Sequence, residues 1–295
     1  MKAFRYLTAL MLLFGLSQDS RAGTLVIFHM FIGANNYAGD VEVELYDDDK
    51  PITVKNFLKY LDNGYYVNNF FHRCEPGFVL QGGGANTSSP ANTNLFQSFN
   101  YVPPVYGEIT NEFYSGTLRS NTYGTIAMAR GADLNSATSQ FYFNLADNSA
   151  LLDNSTNYYA VFGQVLRGTN ILNLFNTLGD NGNGIVNMET FYGLSTNTLF
   201  LSELPVDYIG NAPPHYSDLI YMIINTLNLQ ARLTNNAMQL SWNSITGLTN
   251  NVEFSTALPA SWQVLTNPVG NGASMIATDT NKLAAQRFYR IHVLY

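Results

Sequence analysis

The chain has 295 residues, of which only 12% are charged, while 46% are hydrophobic and 14% aromatic, with 19 Tyr and 19 Phe. Such low charge and many aromatics exclude wholesale disorder, and they leave too few Glu, Lys and Arg to wet the outer faces of long helices. A net charge of -7 gives no basic footprint for nucleic acid, and the single cysteine, Cys74, excludes an internal disulfide and a cysteine-rich zinc site.

Lys2 and Arg5 precede an apolar run, Tyr6 to Leu16, that is too short to span a bilayer. With small residues at Ser20 and Ala22, residues 1–22 read as a secretory signal peptide cut after Ala22. Its removal leaves 11 basic and 20 acidic residues. No later apolar stretch is long enough for a membrane span. The expectation is an exported, periplasmic or cell-surface protein, and a monomer.

Thr24 to Phe31 reads as a strand, and Asp40 to Tyr46 as its half-buried hairpin partner, with Val41, Val43 and Leu45 alternating with Glu42 and Glu44. Pro51 opens a helix whose apolar face is Val54, Phe57, Leu58 and Leu61, ended by Asn63-Gly64. Asn69 to Cys74 and Gly77 to Gln81 are short strands. Residues 82–124 read as a long loop. Further strands are expected at 124–130, 139–145 and 159–165, a second short helix at 170–178, a loop at 180–217 and a late strand at 219–227. Many short strands with two flanking helices predict a closed β-barrel capped by helices.

A break is expected near 228–236. Strand-like runs then follow at 237–242, 251–256, 262–266, 273–279 and 287–293, which read as a small β-sandwich holding Trp242 and Trp262 as core. The domains are thus 1–22, 23–227 and 228–295.

No generic phosphate, calcium or zinc motif stands out. Gly82-Gly83-Gly84 lacks the Lys-Ser/Thr of a phosphate loop, and Asp180-Asn181-Gly182-Asn183-Gly184 lacks the alternating carboxylates of a calcium loop. The four histidines show no ligand spacing, so neither a metal nor a cofactor is expected. Cys74 and His72 share one strand face opposite Arg73, and at two residues apart they are too far apart for direct activation.

One stretch is specific. Phe71-His72-Arg73-Cys74-Glu75-Pro76-Gly77-Phe78-Val79-Leu80-Gln81-Gly82-Gly83 resembles the signature of the cyclophilin peptidyl-prolyl isomerases. A second block follows in Gly124-Thr125-Ile126-Ala127-Met128-Ala129-Arg130 and Ser136-Ala137-Thr138-Ser139-Gln140-Phe141-Tyr142-Phe143-Asn144, and Leu152-Asp153 and Val161-Phe162-Gly163 complete it. The wording is similar to that of bacterial, often periplasmic, members. The resemblance covers about residues 24–178 and the late strand. It implies an eight-stranded antiparallel barrel with two capping helices, and acceleration of X–Pro isomerisation in proline-containing segments of exported proteins.

By that resemblance Arg73 is the donor to the twisted amide nitrogen, and Phe78 and Gln81 complete the catalytic group, with Gln81 orienting the Arg and contacting the substrate backbone. Phe78, Val79, Tyr142 and Leu152 match the apolar proline pocket. Ala129, Arg130 and Gly131 match the edge that pairs with the substrate main chain, and Gln140 borders the adjoining pocket. Several positions depart from the family. Val79 stands for the usual Met, Tyr142 for Phe, and Arg130 for Asn. Leu151 replaces the Trp that supports cyclosporin binding in animal members, so weak cyclosporin affinity is expected. Tyr159 stands where animal members have His. The alternative reading is a non-catalytic proline-peptide-binding chaperone or adaptor on the same barrel. The tail is similar, over a short span, to small β-modules at the ends of exported bacterial proteins, and it could grip substrate, attach the protein to a cell surface or act as a spacer.

Overall fold

The computed structural model describes residues 23–33, 36–87, 99–179, 183–188, 201–210, 213–227, 229–234, 237–244, 247, 249–257, 261–271, 273–281 and 287–294. The expected leader over 1–22 and the start of the calcium-like loop at Asp180 lie outside these residues.

β1 (Leu25–Ile32) and β2 (Tyr37–Leu45) form the expected antiparallel hairpin, with Phe28 opposite Val41 and Val26 opposite Val43. Val26, Phe28, Met30, Val41, Val43 and Leu45 are all fully buried, while Glu42 and Glu44 take the other face. Side chains alternate across a strand, so this one pattern decides which face of the sheet is core. α1 (Pro51–Asp62) begins on Pro51 and lays Val54 and Phe57 into that core. It stops at Asn63, whose side-chain amide donates to the Lys59 carbonyl at 2.8 Å, and Gly64 takes the left-handed φ of +76° that follows.

The remaining elements of this unit are β3 (Arg73–Glu75), β4 (Val79–Gly82), β5 (Ala85–Thr87), β6 (Phe99–Tyr101), β7 (Thr125–Met128), β8 (Phe141–Asn144), the one-turn α2 (Ser149–Leu152), β9 (Val161–Arg167), α3 (Thr169–Phe175), β10 (Asn183–Val186), β11 (Leu204–Ile209) and β12 (Ile220–Leu227). Eight strands make one antiparallel sheet in the order β12-β1-β2-β9-β7-β8-β4-β3. Its interior is aromatic: Phe28 meets Phe141 and Phe143 edge-on, with ring centroids 5.6 and 5.0 Å apart, and Phe57 meets Phe141 at 5.4 Å.

The expected closed barrel is corrected. The sheet is an open half-barrel that curls through 245°, and its edges β12 and β3 form no ladder. Among the described residues only one isolated bridge, Phe70 to Tyr221, joins the segment before β3 to β12, flanked by Phe71 N–H donating to the Ile220 carbonyl and Met222 N–H to that of Asn69. The reason lies at β3. It is three residues long, and its Cys74 N–H donates to the Glu203 carbonyl at 2.8 Å, so a later segment already occupies that edge.

That segment also revises the loop expected over 180–217. β10 and β11 pair there, and Val186, Met188, Leu201, Leu204 and Val206 form a second apolar cluster with Phe70, Leu219 and Tyr221. The loop expected over 82–124 likewise contains the β5–β6 pair. Its later part is pinned by the buried Lys50, whose Nζ donates to the carbonyls of Glu112 at 2.9 Å, Phe113 and Thr117 at 3.2 Å, and Ser115.

Among its described residues the C-terminal segment holds two three-stranded antiparallel sheets. One is β13 (Gln230–Thr234), β14 (Ala237–Asn243) and β17 (Ser274–Asp279), and the other is β16 (Gln263–Thr266), β15 (Thr249–Ser255) and β18 (Phe288–Leu294). β13 occupies part of the expected break. Leu240, Trp242, Val252 and Ala277 are buried together, and Ile27 of β1 joins them. Trp242 is core, with its indole N–H donating to Asn250 Oδ1 at 3.0 Å. Trp262 is only half-buried and instead carries the Arg290 guanidinium 4.3 Å above its ring.

Candidate active site

The register of four strands builds the site. Arg73 of β3 lies opposite Gln81 of β4, Gln81 opposite Tyr142 of β8, and Tyr142 opposite Ala127 of β7. Because successive side chains alternate, Cys74, Leu80, Phe143 and Ile126 point into the core and are fully buried. The opposite face carries Arg73, Gln81 and Tyr142. Between β3 and β4 the chain reverses through Pro76-Gly77-Phe78, where the Phe78 N–H donates to the Glu75 carbonyl at 2.9 Å. Gly77 has φ +73°, which a side chain would strain. This turn brings the Phe78 ring centroid within 5.9 Å of the Arg73 guanidinium carbon.

A separate apolar cluster covers this outer face. Val79, Ala127, Tyr142, Leu152 and Val161 are its buried members, with Tyr46, Phe78, Ala129 and Tyr159 packed partly buried against them. Six of the expected residues thus converge: Phe78, Val79, Ala129, Tyr142, Leu152 and Tyr159. α2 delivers Leu152, and Asn148 at its start donates from its side-chain amide to the Phe78 carbonyl at 2.8 Å. Leu151, by contrast, is 53% exposed and outside the cluster, and Gly131 is exposed at the rim.

Arg130 turns back on its own loop. Its guanidinium lies 4.5 Å over the Tyr159 ring and donates to the carbonyls of Gly131 and Asn157. The Ala129 N–H is held by the Gln140 carbonyl at 2.9 Å. Gln140 Oε1 also accepts from Gln81 Nε2 at 2.7 Å, so Gln81 is engaged with Gln140. The partners of Arg73 are carboxylates: Nη2 meets Glu75 Oε2 at 2.5 Å and Nε meets Glu203 Oε2 at 2.6 Å.

A polar layer lies beneath the apolar one. The Tyr142 hydroxyl donates to Asn121 Oδ1 at 2.8 Å, which also accepts from Asn144 Nδ2 at 3.0 Å. Asn121 Nδ2 in turn donates to Asp153 Oδ1 at 2.7 Å and to the Tyr159 carbonyl at 2.9 Å. Burial, with Tyr159 and Asp153 adding, holds the Tyr142 hydroxyl well above the usual tyrosine range, so it stays a neutral donor. His72 is buried under the same edge. Desolvation pushes its pKa down to about 3, opposed by a hydrogen bond with Gln140 and aided by the Arg73 charge. It is neutral at ordinary pH. Cys74 Sγ sits 3.9 Å from the Phe175 carbonyl on the core side, away from these groups.

Sequence reasoning missed Glu203 and Asn121. Glu203 lies 130 positions beyond Arg73 in a stretch read as loop, and Asn121 is one asparagine among many. Neither carries a local signal. Among the described residues no group of three or more His, Cys, Asp or Glu side chains is disposed to hold a metal. No helix there is long and apolar enough to cross a membrane.

The site therefore presents a fixed cation beside an apolar slot. A family model described as cyclophilin type peptidyl-prolyl cis-trans isomerase/CLD matches residues 29–190, more than half of the chain. The chain belongs to this family.

Among curated relatives, a peptidyl-prolyl cis-trans isomerase of Acinetobacter baylyi is 42% identical over 135 residues, 45% of this chain and 65% of its own. Peptidyl-prolyl cis-trans isomerase A of Dickeya dadantii is 39% identical over 135 residues, 45% of this chain and 64% of its own. The chain thus spans just under two thirds of these two relatives. Peptidyl-prolyl cis-trans isomerase B of Escherichia coli is 38% identical over 138 residues, 45% of this chain and 76% of its own. A solved cyclophilin type peptidyl-prolyl cis-trans isomerase of Cryptosporidium parvum aligns over 68% of this chain and 96% of its own, at a TM-score of 0.44 and 22% identity.

Proposed function

We propose that this cyclophilin catalyses cis–trans isomerisation of X–Pro bonds in exported proteins. The observation that carries the reading is Arg73 beside Phe78, at 5.9 Å, on the rim of an apolar cluster. The planar amide resists rotation by about 18–20 kcal/mol because the nitrogen lone pair is shared with the carbonyl. Twisting localises that pair on nitrogen, where it accepts a hydrogen bond. A donor aimed there binds the twisted state more tightly than either planar one, which is what lowers a barrier.

In this mechanism Phe78, Val79, Tyr142 and Leu152 receive the proline ring, and the main chain of Ala129, Arg130 and Gly131 pairs with the substrate. Gln81 and Gln140 contact the flanking backbone. Arg73 Nε and Nη2 face carboxylates, so Nη1 is the nitrogen offered to the amide. The chemistry needs no covalent intermediate.

The wider setting belongs to the same proposal. Residues 1–22 are a leader removed after Ala22, the half-barrel unit extends to 227, and 228–295 form a β-sandwich module. The protein works as a monomer in the periplasm or at the cell surface. The test is a proline-peptide isomerisation assay on residues 23–295 beside Arg73→Ala. A loss of about a hundredfold or more is expected; equal rates would sink the mechanism. The two carboxylates on Arg73 give the non-catalytic reading its one support, and wild-type protein that binds proline peptides without speeding isomerisation would favour it.

A further inference from the structure

The guanidinium expected to do the chemistry is held by a residue that the family motif does not contain. Glu203 is two residues beyond Leu201, in the segment that carries β10 and β11. Its main-chain carbonyl takes the Cys74 N–H at 2.8 Å, which fixes its backbone to β3. Its side-chain Oε2 then reaches Arg73 Nε at 2.6 Å. Two anchors one residue apart on β3 leave the Glu203 side chain little choice of direction. Leu201 and Leu204, on either side of it, are buried in the second apolar cluster, which holds the segment against Phe70.

Gln81 does not share this task, because its side chain turns toward Gln140, donating from Nε2 to Gln140 Oε1 at 2.7 Å, and makes no hydrogen bond to Arg73. Glu75 takes Arg73 Nη2 from the β3 side, but it lies on the same short strand and is the more exposed of the two, with 44% of its side chain accessible against 33% for Glu203. Contacts at Nε and Nη2 together fix the plane of a guanidinium, since its five N–H groups form a rigid fork. A single contact would let the plane swing about the other axis.

We infer that Glu203 is a positioning residue for Arg73, supplied to the active site by the β10–β11 segment, and that it orients the Nη1 donor toward the proline amide. This rests on the isomerase reading of the site. A donor a fraction of an ångström or some tens of degrees off target loses transition-state stabilisation while substrate binding is kept. The effect therefore falls on kcat.

The experiment is a kinetic double-mutant cycle on full-length processed protein: wild type, Glu203→Ala, Arg73→Ala and the double variant, with Glu203→Gln as the variant that keeps an acceptor oxygen. Glu203→Ala is expected to lower kcat roughly fivefold to tenfold with KM within about twofold of wild type. Glu203→Gln is expected to recover at least half of that loss. In the Arg73→Ala background the Glu203→Ala change is expected to do nothing further. Circular dichroism checks that each variant is folded. If Glu203→Ala slows the Arg73→Ala protein by the same factor as wild type, or acts on KM alone, the positioning role is overturned. Equal rates for Arg73→Ala and wild type would instead overturn the isomerase reading itself, so the two failures are separable.

Discussion

The Tyr142 hydroxyl and Asn121 Oδ1 are joined by a 2.8 Å hydrogen bond directly beneath the apolar cluster of the site. The bond explains how a pocket position that resembles a phenylalanine site tolerates a hydroxyl: the polar end is turned inward and satisfied. A buried hydroxyl left unpaired would cost about 1–3 kcal/mol. Tyr142→Phe removes the donor, and Asn121 Oδ1 keeps Asn144 as its remaining donor. The variant is expected to lose about 1 kcal/mol of stability in urea unfolding and to keep isomerase activity within roughly threefold. A larger loss of activity than of stability would assign the hydroxyl a direct part in binding substrate.

Arg73→Lys tests geometry separately from charge. An ammonium is a point charge and cannot meet Glu75 and Glu203 while presenting a third nitrogen. Activity is expected to fall about hundredfold despite the retained charge. Stability should change by less than about 1 kcal/mol, because both ion pairs are partly solvent-exposed. Parallel isomerase and thermal-melt measurements check the pair of statements.

His72 makes stability depend on pH. Its folded pKa of about 3 lies below the ordinary 6.5, so between these values the unfolded chain binds a proton that the folded chain excludes. Stability contributed by the neutral ring is fully present above 6.5 and is lost as pH falls toward 3. One such proton corresponds to about 1.4 kcal/mol per pH unit across the window. Denaturant unfolding at several pH values should show this slope, and His72→Gln should flatten it. An unchanged slope in the variant would place the acid sensitivity elsewhere.

Leu151 predicts the response to cyclosporin. Its side chain stands exposed beside the buried Leu152, so it offers a small apolar stub at the edge of the site. Calorimetry should find weak binding to the wild type. Leu151→Trp adds a large flat surface at the same position and should tighten binding about tenfold. Tight binding by the unaltered protein would contradict the assignment of this position.

Much of this was readable from local pattern. The alternation Val41, Val43, Leu45 states which face of β2 is core, and Val54, Phe57, Leu58, Leu61 with Asn63-Gly64 state where α1 faces and stops. The placing of Arg73, Phe78, Val79 and Gln81 on one face was readable because Phe71 to Gly83 is a contiguous motif whose strand register is set by one tight turn. The open edge of the sheet was not, since it depends on β3 meeting Glu203 rather than β12, a pairing between distant segments. The β10–β11 pair was hidden by its setting of Asn, Gly and Thr and by Pro205, a strand-breaking residue inside the short Leu204, Val206, Tyr208 alternation. Trp262 shows the limit of residue type as a guide, for a tryptophan covered by Arg290 is not a core tryptophan.

Ile27 of β1 is 3% exposed because Leu240, Trp242, Val252 and Ala277 cover it. The strand that sits in the half-barrel sheet therefore also serves as a wall of the C-terminal core. Cutting the chain at 228 would uncover an isoleucine on one piece and a tryptophan on the other. The two halves should then share a single melting transition. A truncated protein that mislocalises would be reporting its own loss of fold before it reported any lost address.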